Sequence, residues 1–461
     1  MSPADHDALP SGFLLGASTA AYQVEGGVTE GGRGRSVWDT FCDVPGRIVD
    51  GSSGAVACDH FHRYAEDVAL MAELGLDAYR FSIAWPRIHP DGTGPANPAG
   101  LDFYDRLVDA LLAAGVAPMA TLFHWDLPQA LEDSGGWLAR STAERFAEYA
   151  ATVGARLGDR VAHWIPVNEP NVVTMLGYAT GRHAPGRRLM FEALPVAHHL
   201  LLGHGLAVGA LRAAGATSVG PANNHMPVWA ATDSLEDRQA ADLYDALWNR
   251  MFSEPMLRGR YPEGFAELMP GPVAEDLAVI SAPLDFYGVN YYSPMRIAAP
   301  GTDLPTTDQV PTEGLPVVPV VIEGYPLTGF GWPVVPDGLR EVLVSLRQEY
   351  GAALPPVFVT ENGCAYDDEP DATGAVHDPD RIAYLDAHLA AVAQAVAAGV
   401  DVRGYFTWSL MDNFEWAEGY TKRFGLVHVD YATQRRTPKD SFAWYRDRIA
   451  AQHSRSAGPA G

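Results

Sequence analysis

Along the chain, short apolar runs alternate with longer stretches in which apolar residues return every three or four positions, the signatures of buried strands and amphipathic helices. The strand-like runs are FLLGAS (13–18), DAYRFSI (77–83), VAPMATLF (116–123), HWIPVNE (163–169), SVGPAN (218–223), LDFYGVN (284–290), PVFVTEN (356–362) and VRGYFTW (402–408). Helical patterns fall between them, such as YAEDVALMAELG (64–75), LDFYDRLVDALLAAG (101–115), STAERFAEYAATVGARLG (141–158), PDGLREVLVSLRQEYG (336–351) and RIAYLDAHLAAVAQAVAAG (381–399). Gly75, Gly115, Gly158, Gly351 and Gly399 each follow such a pattern, where a left-handed C-cap is expected.

Eight strands alternating with helices and almost free of hairpin signals predict parallel βα units. The eightfold count predicts the α/β class and a closed (β/α)₈ TIM barrel. At 461 residues the chain exceeds the usual core of roughly 250, which calls for long βα-loop insertions, about 19–60, 170–190 and 291–335. A doubly wound open sheet is the alternative, but no GxGxxG or GxxxxGK[ST] follows any strand. One catalytic domain is expected over residues 1–450. The small-residue tail AQHSRSAGPAG (451–461) is expected to be disordered. Pro166, inside the fourth strand, removes a ladder donor and predicts a bulge.

Composition narrows the function classes. Hydrophobic residues make up 47%, enough for a large core, and the net charge of −25 disfavours nucleic acid or an anionic membrane as partner. No apolar run reads as long enough to span a bilayer. The opening MSPADHDALPSG lacks a basic segment followed by an apolar one, so no signal peptide is expected. Three cysteines, Cys42, Cys58 and Cys364, are odd in number and scattered, which points away from a disulfide framework and toward a reducing cytoplasm.

In a barrel of this kind chemistry gathers at the C-terminal strand ends. Those ends carry Arg80, His124 with Trp125, Asn168 with Glu169, Asn290 with Tyr292, Glu361 with Asn362, and Trp408. Two acids, Glu169 and Glu361, each close an apolar strand, where a carboxylate must be solvated, paired or used. Two convergent carboxyl groups suit glycoside hydrolysis: one protonates the leaving oxygen while the other attacks or directs water. Indoles pack on the C–H face of a sugar, and amide, carboxylate and imidazole groups bind its hydroxyls. Trp125, Trp408 and Trp416, with Gln23, His124, Asn168 and Glu415, supply that mixture.

The words FLLGASTAAYQVEGG, DHFHRYAEDVALMAELGLDAYRFSIAWPRI, FHWDLPQAL, NEP, YGVNYY, TENG and WSLMDNFEWAEGYTKRFGLVHVD, in this order, resemble glycoside hydrolase family 1, the β-glucosidases and their relatives, over almost the whole chain. The resemblance implies a retaining enzyme with Glu169 as acid/base and Glu361 as nucleophile, their carboxyl groups about 5–5.5 Å apart. Arg80 and Tyr292 match the partners of the nucleophile, and both favour its charged form. Glu169 must begin protonated, so its pKa is expected above the ordinary value. By the same resemblance Asn168 serves the 2-hydroxyl; Gln23, His124 and Trp416 the 3- and 4-hydroxyls; Glu415 the 4- and 6-hydroxyls; and Trp408 the platform under the ring. Asn290 resembles a supporting residue. Trp332, Tyr178 and Asn224 resemble aglycone-side positions. Plant thioglucosidases carry Gln at the position of Glu169, and Glu415 would repel a 6-phosphate, so an ordinary, unphosphorylated O-glycoside is implied.

The expected activity is release of terminal non-reducing β-D-glucosyl units from oligosaccharides or from aryl and alkyl glycosides, with no cofactor, a small-molecule β-glycoside as substrate, and neither nucleic acid nor membrane as partner. β-Galactosidase, β-fucosidase or transglycosylase activity on the same site, and a non-catalytic sugar-binding protein, are the alternatives. A metal site at His198, His199 and His204, in AHHLLLGHG, lacks an HExxH arrangement. Packing of helix against barrel is the preferred role for these histidines.

Overall fold

The computed structural model of the chain describes residues 9–308, 312 and 314–456. Residues 1–8, which carry most of the leader reading, and 457–461 of the tail lie outside the described residues, as do 309–311 and 313 within the long insertion. Seven of the eight apolar runs contain a barrel strand and the fifth, 218–223, overlaps one by two residues: β1 (Leu14–Ser18), β2 (Ala78–Ser82), β3 (Ala117–Phe123), β4 (His163–Val167), β5 (Ala222–Asn224), β6 (Tyr287–Asn290), β7 (Val357–Asn362) and β8 (Val402–Trp408). All pair in parallel, in the order β4-β3-β2-β1-β8-β7-β6-β5. Isolated parallel bridges, Trp164 to Val219 and Asn168 to Ala222, join β4 to β5 and close the ring.

Strand alternation sorts the side chains. In β2 the inward Ala78 joins Met119, Ile165, Ala222, Phe286, Phe358 and Phe406 in an apolar plug inside the barrel. The outward Tyr79 and Phe81 belong to the larger core between strands and helices. Arg80, two residues beyond Ala78, therefore points inward one layer above the plug, toward the C-terminal mouth.

Pro166 produces an irregularity on one side of β4 only. Toward β3 the register runs without a shift from Met119–His163 to Phe123–Val167. Toward β5, positions 164 to 168 face 219 to 222, so β4 carries one residue more than its partner. The missing donor lies at that seam.

Several expectations need correcting. Gly75, Gly115, Gly351 and Gly399 have positive φ, but Gly158 is right-handed at φ −62° and ψ −21°. Close approach explains this glycine: a Cβ there would lie 2.5 Å from the Gly154 carbonyl oxygen and 2.9 Å from that of Ala214. The final helix, Asp440–Ser456, continues through the first half of the segment expected to be disordered. Gln452 is buried and donates to the Pro10 carbonyl at 2.8 Å, and His453 bonds Asp77 at 2.7 Å, so that half is docked. The segment Met190–Ala213 is long and apolar enough to cross a membrane by length and composition, contrary to the sequence reading. Most of its apolar window is buried, against the helix Arg140–Leu157 among others.

The histidines of that helix are engaged in packing. His198 bonds Tyr261 and Asp276 at 2.8 and 3.0 Å, His199 bonds the Trp137 carbonyl at 2.9 Å, and His204 is fully buried.

The insertions build up the mouth. Val228–Ala230 after β5 pairs with Met295–Ala298 after β6, which pairs in turn with Val318–Val320. This small sheet anchors the long segment that returns through Phe330 and Trp332.

Candidate active site

Two local distortions turn the acids into the mouth. Phe358 of β7 faces the barrel interior, so unbroken alternation would turn Glu361 toward the helices. Between Val359 and Asn362, however, β7 carries one residue more than either neighbour: 359 and 361 face Val289 and Asn290 of β6, and 359 and 362 face Tyr405 and Thr407 of β8. This bulge at Thr360–Glu361 resets the direction of the side chain. It is fixed by the Thr360 carbonyl, which accepts from Ser18 Oγ at 2.9 Å and Arg80 Nη1 at 3.3 Å, and by Thr360 Oγ1, which donates to Asn290 Oδ1 at 2.6 Å.

At β4 the device differs. Asn168 and Glu169 are consecutive, yet both reach the mouth because Glu169 has a left-handed backbone, φ 46° and ψ 63°. Trp125 and Trp416 also have positive φ, 79° and 48°. Such conformations cost about 1–3 kcal/mol each for residues with a Cβ and persist only where surrounding contacts impose them. Three of them line this one cavity.

The buried carboxylate of Glu361 receives Arg80 Nη1 on Oε1 and the Tyr292 hydroxyl on Oε2, the latter at 2.7 Å. Burial, then the Glu361 charge, push the Tyr292 phenol well above its ordinary pKa, so it remains a donor. Arg80 Nη2 donates to Asn168 Oδ1 at 2.5 Å, and Asn168 Nδ2 meets His124 Nε2 at 3.1 Å. Burial, then the Arg80 charge, hold His124 well below its ordinary pKa, so the imidazole is neutral.

Glu169 is buried, and among the described residues no cation sits on its carboxylate. Its Oε1 accepts from Asn290 Nδ2 at 2.8 Å and Asn224 Nδ2 at 3.1 Å. Burial, then the Glu361 charge, push it up to about 8, against the opposing effect of both amides and Arg80. Glu415 is also pushed up to about 8, by burial first and Glu361 second, and accepts from Gln23 Nε2 at 3.2 Å. Gln23 Nε2 donates as well to Asn413 Oδ1 and the Phe414 carbonyl. Among the described residues, Gln23 Oε1 and His124 Nδ1 are buried without a protein partner, an arrangement that favours a polar ligand.

A cavity of about 460 Å³ collects Glu169, Glu361, His124, Trp125, Tyr292, Trp408, Glu415 and Trp416, with Asn224 and Trp332. Trp408 and Trp416 each lie nearly parallel to the His124 ring, centroids 5.8 Å apart, and Trp416 packs on Trp125 at 4.5 Å. Gln23, Arg80, Asn168 and Asn290 stand behind this lining and bond to it or to one another. Tyr178 is the exception. It is buried away from the cavity, its hydroxyl donating to Glu132, and Val172 and Leu176 of the same segment form the wall instead.

Trp248 escaped the sequence reading. It lines the cavity and donates from Nε1 to Asn224 Oδ1 at 3.1 Å, so it orients an amide that touches Glu169. Met226, Met295, Phe330 and Phe424 also escaped it. Met226 stands two residues past β5, but Trp248 sits in the helical segment Ala246–Arg250, Met295 in the strand Met295–Ala298, and Phe330 and Phe424 between elements, positions at which hydrophobic periodicity marks no cavity-facing side chain.

Residues 5–454 match the model of glycosyl hydrolase family 1. The chain is 53% identical over 447 residues to thermostable beta-glucosidase B of Thermobispora bispora, covering 95% of this chain and 90% of the relative. It is 46% identical over 468 residues to a bifunctional beta-D-glucosidase/beta-D-fucosidase of Bifidobacterium breve, covering 96% and 98%. Its fold superposes on the crystal structure of a psychrophilic beta-glucosidase from Micrococcus antarcticus with a TM-score of 0.92 and 47% identity, over 98% of this chain and all of the other. With its barrel and the carboxyl groups at the barrel mouth, this chain belongs to glycosyl hydrolase family 1.

Proposed function

We infer that this protein is a retaining β-glucosidase that releases terminal non-reducing β-D-glucosyl residues. The observation that carries the reading is the contrast between two buried carboxyl groups in one cavity. Glu361 accepts from a guanidinium and a phenol. Glu169, among the described residues, accepts only from amides and is pushed up to about 8.

In the first step a Glu361 oxygen attacks the anomeric carbon and forms an ester, while the bond to the aglycone oxygen breaks and that oxygen takes the Glu169 proton. The ester removes the Glu361 charge, the second cause of the raised Glu169 pKa. Glu169 is then the stronger acid and is left ionised. In the second step it takes a proton from water, the water oxygen attacks the same carbon, and Glu361 leaves. Asn168, bonded to Arg80 and reaching toward His124, suits the 2-hydroxyl. The unpartnered Gln23 Oε1 and His124 Nδ1, with Glu415 and the Trp408 and Trp416 rings, suit the remaining hydroxyls and the sugar face.

The test is a 2-fluoro aryl β-glucoside with peptide mapping, paired with NMR of the first-formed product. A label on Glu361 and β-glucose as initial product are expected. Initial α-glucose, or a label elsewhere, refutes the assignment.

A second reading, β-fucosidase activity on the same site, draws support from the bifunctional Bifidobacterium relative. The ratio of kcat/KM between aryl β-glucoside and aryl β-fucoside measures it. The proposed location is the cytoplasm, since Cys42, Cys58 and Cys364 are all free thiols. Fractionation of the producing cell checks this.

A further inference from the structure

Positive charge in this chain is carried almost entirely by arginine. Of its 32 basic residues two are lysines, Lys422 and Lys439, and both follow β8. A lysine amine is the usual target of acylation, whereas a guanidinium stays protonated and unreactive. Amine chemistry on the side chains is therefore confined to two positions, and their surroundings differ.

Lys439 is sealed. Its side chain is fully buried, and Nζ donates to Asp368 Oδ2 at 2.7 Å and to Asp412 Oδ1 at 2.8 Å. Acylation there would strip a cation from two buried carboxylates, a loss the core opposes. Lys422 is half-buried, and its Nζ donates to the Gly329 carbonyl at 2.7 Å in an exposed contact. That bond engages one of the three donors of an ammonium.

The contact lies behind a cavity wall. The Gly329 amide donates to the Ala365 carbonyl at 2.7 Å, so the turn 328–332 is held from one side by the loop after β7 and from the other by Lys422. Nζ also stands over the Phe330 ring, 5.3 Å from its centroid. Phe330 stacks on Trp332 at 4.3 Å, and Trp332 packs at 5.5 Å on Tyr292, the donor to Glu361. These three rings line the cavity, which Lys422 itself does not border.

We propose that Lys422 is a modification site for acyl phosphates, and that its charge pins the turn 328–332, so that acylation loosens this wall. In the reaction Nζ attacks the acyl carbon and an amide C–N bond forms. The C–O bond to phosphate breaks, phosphate leaves with the electron pair, and the amine proton passes to water. The neutral product gives up the cation–π contact with Phe330. The site and the pin stand apart from the β-glucosidase reading; the activity readout alone rests on it.

Acetyl phosphate on the native enzyme, followed by peptide mapping, tests the site. Lys422 is expected to be acetylated and Lys439 to react about a hundredfold more slowly, since it must wait for local opening. Lys439 keeping pace with Lys422 overturns the site, as does an unmodified Lys422 under conditions that acetylate a free lysine peptide. Hydrogen exchange tests the pin. After acetylation the Gly329 amide should exchange about two- to fivefold faster, the worth of an exposed cation–π contact, and kcat/KM for an aryl β-glucoside should fall by a similar factor. Both values unchanged at full acetylation of Lys422 overturn the pin. Lys422→Arg keeps the charge and takes no acetyl group, so treatment should leave its exchange and its kcat/KM unaltered; a change there assigns the effect to another group and also overturns the pin. No hydrolysis before treatment means that the glucosidase reading has failed, and mapping with exchange then decides the proposal.

Discussion

Glu361 and Glu169 end two strands of one barrel, both are buried, and they share a cavity, yet the chain surrounds them in opposite ways. A strand bulge turns Glu361 inward toward a guanidinium and a phenol. A left-handed backbone turns Glu169 toward two amides and away from any cation. Amides neutralise no charge, so burial wins at Glu169 and its proton is held into the alkaline range. Identical side chains acquire different chemistry from the donors around them.

The largest effect that breaks this pairing is removal of the better-paired acid. Glu361→Gly should lower kcat by about 10⁴-fold or more, with azide or formate restoring part of the rate; full activity would eliminate Glu361 as nucleophile. Glu169→Ala should cost about 10²- to 10⁴-fold on substrates with poor leaving groups and far less on a dinitrophenyl glucoside. An equal loss on both would show that Glu169 is not the proton donor. Tyr292→Phe removes one hydrogen bond to a charged acceptor, about 1.5–3 kcal/mol, and should lower kcat by roughly 10- to 100-fold with the Arg80 contact retained.

The smallest effect is a shift in pH dependence. Glu169 donates only while protonated, so kcat/KM should fall as pH rises through about 8. The two amides oppose the upward shift, so Asn224→Ala moves this alkaline limb to higher pH. Esterifying Glu361 with the 2-fluoro sugar deletes an upward cause and moves the Glu169 titration to lower pH. Carbon NMR of a labelled Glu169 carboxyl reads both signs, and movement in either opposite direction would refute the electrostatic account.

Much of this arrangement was legible in the chain. Apolar runs marked all eight strands because a parallel sheet covered by helices is buried on both faces. The first polar residues after those runs were the mouth residues, since a side chain leaving the plug meets the cavity. Asn168, Glu169 and Glu361 followed from that logic, whereas Arg80 stands inside β2, one layer above the plug. What periodicity does not carry is the direction of loop side chains. Tyr178 and Leu176 stand two apart in one helical stretch, which puts them on opposite sides, and resemblance pointed to the wrong one. Trp248, Phe330 and Phe424 reach the cavity through contacts distant in sequence. The bulge in β7 was invisible for a related reason: its cause is a set of bonds from Ser18, Arg80 and Asn290, all outside the strand. The order in the tail arises similarly, from Pro10 and Asp77 at the other end of the chain.

The seam between β4 and β5 has one consequence for how this enzyme ages. Among the described residues it is joined by isolated bridges rather than a continuous ladder, beside a proline that contributes no donor. Glu169 hangs on it through its own amide, which donates to the Ala222 carbonyl at 2.8 Å. Warming should therefore spring this stave of the barrel first, with the Glu169 and Gly220 amides taking up deuterium ahead of those in β2 and β3. Turnover would then fade at temperatures where the helices are still intact.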